Sequence, residues 1–461
     1  MAMGKRKQRQ EALFLLAEEL PQSGGHPFYE KLNGLLAVAG FDRWVERRCA
    51  QYYNQAERRG QPSLPPGVYF RMLMVGYFED LSSQRGIAWR CADSLSLRRF
   101  LGLPLHERTP DHSTLSLTRQ RLPPEVFQEV FQFVLSIAAE KKLIAGKTVG
   151  VDSTLLEADA AMKSIVRRDT GEDWKEYIAR LMREEGVIEA AHEPTDEEIR
   201  RFDKARKSKK VSNEEWVSQT DPDSRIAKMK DGRTHLAYKA EHVVDLKTDL
   251  LLAAEIRPAT DADTDTLVDS VLQAQINLDA AGSDVQIEEA AADKGYHAAQ
   301  TLELADSLGV RTYIPEPDRK HNRTWTDKPA EFRAAVVNNR RRVRRAKGKQ
   351  LQRARSERCE RTFAHVCDTG GARRSWLHGL VDVTKRYLIA AATHNLGRIL
   401  RKLFGIGKPR VLQSDARLAS LVQLPVAGLR IVLTPFPAPN VCHYLFIRKI
   451  TYPTFNYGKT G

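Results

Sequence analysis

Thr148-Val149-Gly150-Val151-Asp152-Ser153-Thr154 is a β-branched run that ends on a carboxylate. Along an extended chain Val149 and Val151 share one face, so a strand is expected over 147–152, running out at Asp152. In open α/β sheets, ligand chemistry gathers beyond the strand ends, where the backbone can present a charged group. A lone aspartate there is most often a solvated surface acid. It gains weight only if other acids fold up beside it.

Downstream, two apolar runs (235–244 and 250–257) flank the turn Asp245-Leu-Lys-Thr-Asp249 and read as a hairpin of strands two and three. A helix over 263–280, strand four over 285–292, a helix over 298–308 and strand five over 311–314 follow. The fold class is therefore α/β, a mixed five-stranded sheet with flanking helices. A charged, mostly helical insertion occupies about 155–234, with Trp174, Tyr177, Ile178 and Leu181 at core-like spacing and an exposed basic connection at 200–215.

Upstream, 28–145 reads as an all-α domain. Pro65-Pro66 opens one helix, Ser82 and Ser94 are expected to cap two short ones, and Asp111 or Ser113 starts another. Pro123-Pro124 precedes a long amphipathic helix with Val126, Phe127, Val130, Phe131, Val134 and Ile137 on one face. Short capped helices with interleaved arginines suit a helix-turn-helix, and equally an ordinary bundle. Residues 1–27 read as a flexible basic arm and 405–461 as a tail of uncertain structure. The catalytic segment is expected over 146–404.

Lys and Arg number 73 against 59 Asp and Glu, a net charge of +14 that favours a polyanionic partner, nucleic acid above all. The five cysteines (Cys49, Cys91, Cys359, Cys367, Cys442) are scattered without a CxxC pair, which argues against a disulfide framework or a zinc site. His235, His242 and His297 likewise lack tight ligand spacing. The apolar run 421–433 carries Pro425 and Arg430 and is too short to span a bilayer. A cytoplasmic protein, nucleoid-associated when bound to DNA, is expected.

Two further acids complete a candidate site. Strand four ends Ala290-Ala-Ala-Asp293-Lys-Gly295, an aspartate at a sharp exit. The run Asn338–Arg361 holds eleven Lys or Arg against Glu357 and Glu360. Cys359, Phe363 and Val366 recur at helical spacing, and Glu360 sits beside that seam. An all-oxygen set of Asp152, Asp293 and Glu360 suits two Mg²⁺ or Mn²⁺ ions acting on phosphates. Glu357 is the rival third acid. The arginines around Glu360 fit phosphate steering.

Val-Gly-Val-Asp152-Ser-Thr, Ala-Asp293-Lys-Gly-Tyr and Cys-Glu360-Arg-Thr-Phe resemble the DDE signature of bacterial insertion-sequence transposases of the insertion sequence five and four groups. Gly232-Arg-Thr-His-Leu-Ala-Tyr-Lys is similar to that family's second strand, and Pro110-Asp-His-Ser-Thr114 to its helical DNA-binding region. The resemblance covers about 28–405. It implies a ribonuclease H/integrase-like core, binding of terminal inverted repeats, metal-dependent strand cleavage and transfer, and a homodimer on double-stranded DNA. The residues expected to hold the DNA backbone are Arg340, Arg341, Arg342, Arg344, Arg345, Arg353, Arg355, Arg358, Arg361, Arg373 and Arg374. The sequence departs from the Tyr-x2-Arg-x3-Glu-x6-Lys pattern of several relatives: Arg353, Ser356, Glu360 and Cys367 stand there, so only the glutamate is kept. A ribonuclease H-like nuclease without strand transfer and an inactive DNA-binding protein are the alternatives.

Overall fold

Prolines and side-chain caps set the N-terminal helices of the computed structural model, which describes residues 25–53, 63–206, 211–229, 232–318, 325–326 and 328–409. These helices are α1 (Pro27–Val38), α2 (Phe41–Cys49), α3 (Pro66–Phe78), α4 (Gln84–Ala92), α5 (Leu95–Leu101), α6 (His112–Arg121) and α7 (Pro124–Glu140). Pro66 and Pro124 occupy first-turn positions, where a missing N–H breaks no bond. Ser94 caps α5 as expected, and the Asp111 carboxylate accepts the Thr114 N–H to start α6. The cap of α4 is Ser83 and not Ser82: its hydroxyl accepts from Gly86, the N3 position that capping requires. The apolar face expected on α7 is wholly buried.

The sheet begins with β1 (Thr148–Glu157). The insertion follows as β2 (Ile165–Arg167), α8 (Trp174–Glu184), α9 (Asp196–Ala205) and β3 (Trp216–Ser218), and then β4 (Arg225–Lys228). It is less helical than expected, because β2 and β3 pair as a two-stranded antiparallel sheet that carries the buried Trp216, against which Trp174 and Tyr177 pack. Lys207, Lys209 and Lys210 of the basic connection lie outside the described residues. The chain then forms β5 (Thr234–Asp245), β6 (Leu251–Pro258), α10 (Asp263–Ala280), β7 (Glu289–Ala291), α11 (Ala299–Ser307) and β8 (Arg311–Tyr313). Three helices close it: α12 (Ala330–Arg344), α13 (Ala346–Phe363), which runs into a π-helical turn at Ala364–Thr369, and α14 (Leu380–Phe404).

The strand order is β6-β5-β1-β7-β8, with β4 sharing the outer edge of β5 with β6. β1, β5 and β6 run antiparallel, while β7 and β8 run parallel to β1. This is the ribonuclease H-like arrangement, with β4 as a sixth strand beyond the five expected.

Two boundaries differ from the sequence reading. Strand four covers only Glu289–Ala291, because the backbone at Val285 and Ile287 is bonded by the Gln275 side chain of α10 and not by a neighbouring strand. β1 does not stop at Asp152 but continues to Glu157, held by β5 along its whole length.

One hydrophobic core runs from Phe28 to Ile406 and joins the N-terminal helices to the sheet through α14. Asn395 of α14 fastens the helix to β6, its amide pairing with both the N–H and the C=O of Leu251. Asn339 does the same for α12 at Ile314. No helix among the described residues is long and apolar enough to cross a membrane.

α13 approaches β1 closely at Gly150. A Cβ there would stand 2.7 Å from Leu246 Cδ2, 3.1 Å from Cys359 Sγ and 3.2 Å from Arg355 Cγ. Gly150→Ala is therefore expected to lower stability by about 1–3 kcal/mol through overpacking, measured by urea unfolding. An unchanged midpoint would contradict the tight seating of α13 on β1.

Candidate active site

β1 and β7 pair in parallel through Gly150 and Ala291, and there the pairing ends. Asp152 and Asp293 each lie two residues further on. Two steps return a side chain to the same face, so the register puts both aspartates on one face just past the last paired residues, where the two strands run about 4.8 Å apart. Asp152 is thus mid-strand with one edge newly open, and the end of β7 creates that opening. The backbone of Asp293 is still extended (φ −78°, ψ 178°), and its carboxylate accepts the Gly295 N–H at 2.8 Å to start the turn Lys294–Tyr296.

Glu360 arrives on α13, which crosses the sheet. Lys347 bonds Glu289 of β7, Arg355 and Cys359 sit on Gly150 of β1, and Thr362 and Phe363 meet His242 of β5. The flanks of the helix differ. Arg358 and Arg361 converge with Arg398 of α14 on the nearly buried Asp249, in the turn between β5 and β6. Helical spacing puts Ser356 and Glu360 on the other flank, the one facing away from that turn. The Ser356 hydroxyl donates to the Glu360 carboxylate at 3.0 Å. The Cys359 thiol is pushed well up, first by burial, with Asp152 and Glu360 both adding to the rise. Both carboxylates therefore lie within electrostatic reach of one buried sulfur. Glu357 instead binds Arg361 on the opposite flank.

The acids do not close around a common point. Arg355 donates to Asp152 Oδ2 at 2.9 Å, and Asp152 Oδ1 accepts the N–H of Ser153. Among the described residues no group of three or more His, Cys, Asp or Glu side chains is arranged to hold a metal ion. The donor chemistry nonetheless fits a hard cation: every candidate ligand is a carboxylate oxygen. His242, the cross-strand partner of Asp152, plays another part. Its ring stacks on Phe363 at 4.0 Å and lies 2.7 Å from the Tyr387 hydroxyl. Burial pushes its pKa down to about 3, so it stays neutral and locks α13 to the sheet.

A fourth acid was missed in the sequence. Asp263, at the start of α10, accepts from the Ser153 hydroxyl at 3.0 Å and from Lys239 at 2.7 Å. Its second oxygen and one oxygen of Asp293 lie 2.9 and 3.0 Å from the point where a Gly295 Cβ would stand. The ammonium of Lys239 is buried and also faces Glu241 at 3.5 Å, whose carboxyl burial pushes up. The available signal was the pair Lys239 and Glu241 in a strand otherwise apolar enough to be central. Charges at such positions require partners.

The arginines divide into two groups. Arg340 pairs with Glu316, Arg342 with Asp306, Arg355 with Asp152, and Arg358 and Arg361 with Asp249. Arg373 bonds Asp368, and Arg374 lies near Asp159 and over the Trp376 ring. Arg341, Arg344, Arg345 and Arg353 are exposed and make no ion pair among the described residues.

Two family models match the chain. One described as "Transposase DDE domain" covers residues 165–396, half of the chain, and one described as "Transposase domain (DUF772)" covers 18–121. Asp293 and Glu360 fall inside the first match, and Asp152 lies ahead of it. A search of curated proteins finds no match.

Lys239→Met removes the counter-charge of a fully buried carboxylate and is expected to cost about 3–5 kcal/mol, read by chemical denaturation. Adding Glu241→Gln should recover much of that loss. A single variant as stable as the parent would show that the buried pair is not needed.

Proposed function

The chain belongs to the DDE transposases, and from that premise we propose that it binds the terminal inverted repeats of an insertion sequence, cleaves the DNA there and transfers the freed strand. Asp152, Asp293 and Glu360 are the catalytic acids in this reading. The observation that carries it is the register: two aspartates, each two residues past the last β1–β7 pair, with α13 laid across the same strand.

Members of this family normally use divalent metal ions. We assign the holding of two such ions, Mg²⁺ or Mn²⁺, to the three carboxylates. Bound there, they would activate the attacking oxygen and stabilise the leaving one. The remaining work falls to this chain's side chains. Arg341, Arg344, Arg345 and Arg353 meet the DNA backbone, because they are exposed and without internal ion pairs among the described residues. Arg340, Arg342, Arg358, Arg361, Arg373 and Arg374 join them only by exchanging a carboxylate for a phosphate. Arg355 makes that exchange at the centre of the site. It neutralises Asp152 before DNA arrives and moves to a phosphate afterwards, which frees Oδ2. The N-terminal helices read the repeats, and two copies bring two ends together.

Asp152→Asn, Asp293→Asn and Glu360→Gln are each expected to lower Mg²⁺-dependent cleavage of an inverted-repeat duplex by about 1,000-fold or more, several kcal/mol of barrier. Glu357→Gln should keep activity; the reverse result would move the third acid to Glu357. A pre-cleaved end mixed with plasmid tests strand transfer, since a plain nuclease leaves it unjoined.

Arg355→Gln should bind Mn²⁺ several-fold more tightly than the parent in the absence of DNA, measured by titration calorimetry, because Asp152 loses its resident cation. Equal or weaker binding would remove Arg355 from this role.

A further inference from the structure

A cavity of about 480 Å³ lies away from the acids, between α3, α4 and α6 on one side and α14 with the 370–377 segment on the other. Its inner wall is apolar, with Tyr69, Leu73, Phe127 and Ile389. Of the three arginines that also line it, Arg85 is exposed, while the guanidinium groups of Arg119 and Arg386 are largely buried.

The charges around these two groups do not balance. Arg119 bonds Asp382 through Nε at 3.0 Å, while its Nη1 is buried without a hydrogen-bond partner. Arg386 donates to the carbonyl of Gly371 at 2.9 Å, a neutral acceptor. Lys385 is also buried and shares the one carboxylate, Asp382, with Arg119. Two cations therefore share a single acid, and the third, Arg386, has only a carbonyl. Burial, together with the neighbouring Arg119, pushes the Arg386 guanidinium down to about 10. A buried cation without its counter-ion is expensive, and a buried N–H without an acceptor adds to the cost. An anionic group placed among these nitrogens would relieve both.

We propose that this cavity is a binding site for an amphipathic organic anion, one carboxylate, phosphate or sulfonate group on an apolar body. The anionic end lies between Arg119 and Arg386, and the apolar body lies against Tyr69, Leu73 and Phe127. A volume of this size is that of a small-molecule site. The exposed Trp376 stands at its rim. The position gives the occupant leverage. The segment that carries Trp376 is hydrogen-bonded to the end of β1, Glu157 N–H donating to Arg373 and Ser375 N–H donating to Glu157. The same ligand would thus touch the N-terminal helices and the segment bonded to the strand that bears Asp152. The assignment stands whether or not the acids act as proposed above.

The test uses the full chain and the fluorescent probe 1-anilinonaphthalene-8-sulfonate. The probe is expected to saturate at one per chain, and octanoate should displace it while octanol at the same concentration does not. Inorganic phosphate alone should also fail, because it lacks the apolar body; displacement by phosphate alone would mean a bare anion site and overturn the proposal. A single-stranded oligonucleotide competing as well as octanoate would assign the anion to DNA, and no competition would assign it to a free small molecule. Arg386→Met should weaken the probe about tenfold, equivalent to 1.4 kcal/mol. Leu73→Trp, which fills the wall without touching a charge, should also block it. Asp152→Asn should leave binding unchanged, which separates this site from the acids. Equal displacement by octanol and octanoate, or full binding by both cavity variants, would overturn the proposal.

Discussion

The structure depends on one close contact, the seating of α13 on the backbone of β1 at Gly150. With no side chain at that position, the helix can bring Cys359 and Arg355 within van der Waals distance of the strand. A larger residue would lift α13 away, and Glu360 with it. The contact is secured from both sides. Stacked against Phe363 and hydrogen-bonded to Tyr387, His242 holds the inner face. Asp249 holds the outer flank by gathering Arg358, Arg361 and Arg398. Its φ of +63° is a conformation that aspartate tolerates better than most residues, so the turn can present its carboxylate inward.

The staple at Asp249 changes how the basic run of α12 and α13 is understood. A dense row of arginines reads as a surface for polyanions, and part of it is available for that: Arg341, Arg344, Arg345 and Arg353 are exposed. Arg358 and Arg361 first do structural work, because a buried carboxylate needs hydrogen-bond donors in place of the water it has lost. One basic run thus holds both arginines committed to internal ion pairs and arginines left exposed.

Much of the fold was legible because its signals are local. The α10 boundaries follow from periodicity, and the aspartate cap of α6 and proline starts of α3 and α7 need only neighbouring residues. What failed was set by partners far away in the chain. The strand at Val285–Ile287 looked extended and apolar, yet Gln275 took its hydrogen bonds. Asp152 looked like a terminus, and β5 carried the strand past it. Asp152, Asp293 and Glu360 could be put forward as candidates from their settings, but Asp263 could not. Its importance comes from Lys239 and Ser153, which meet it only after the sheet and α10 have packed.

Asp263 and Asp152 also share a physical predicament. Carboxylates brought together beside a sheet repel one another, and the folded chain must offset that repulsion before any substrate or ion is present. It does so with its own cations. Lys239, buried and bonded to Asp263, is fixed in place by Thr266 and the Asp261 carbonyl. Arg355, on Asp152, sits at the end of a long side chain and makes a single hydrogen bond to the acid. The first cation is built into the core and belongs to the fold. In the proposed reaction the second would leave when a phosphate offers a better partner, so that reading rests stability and reactivity on different cations.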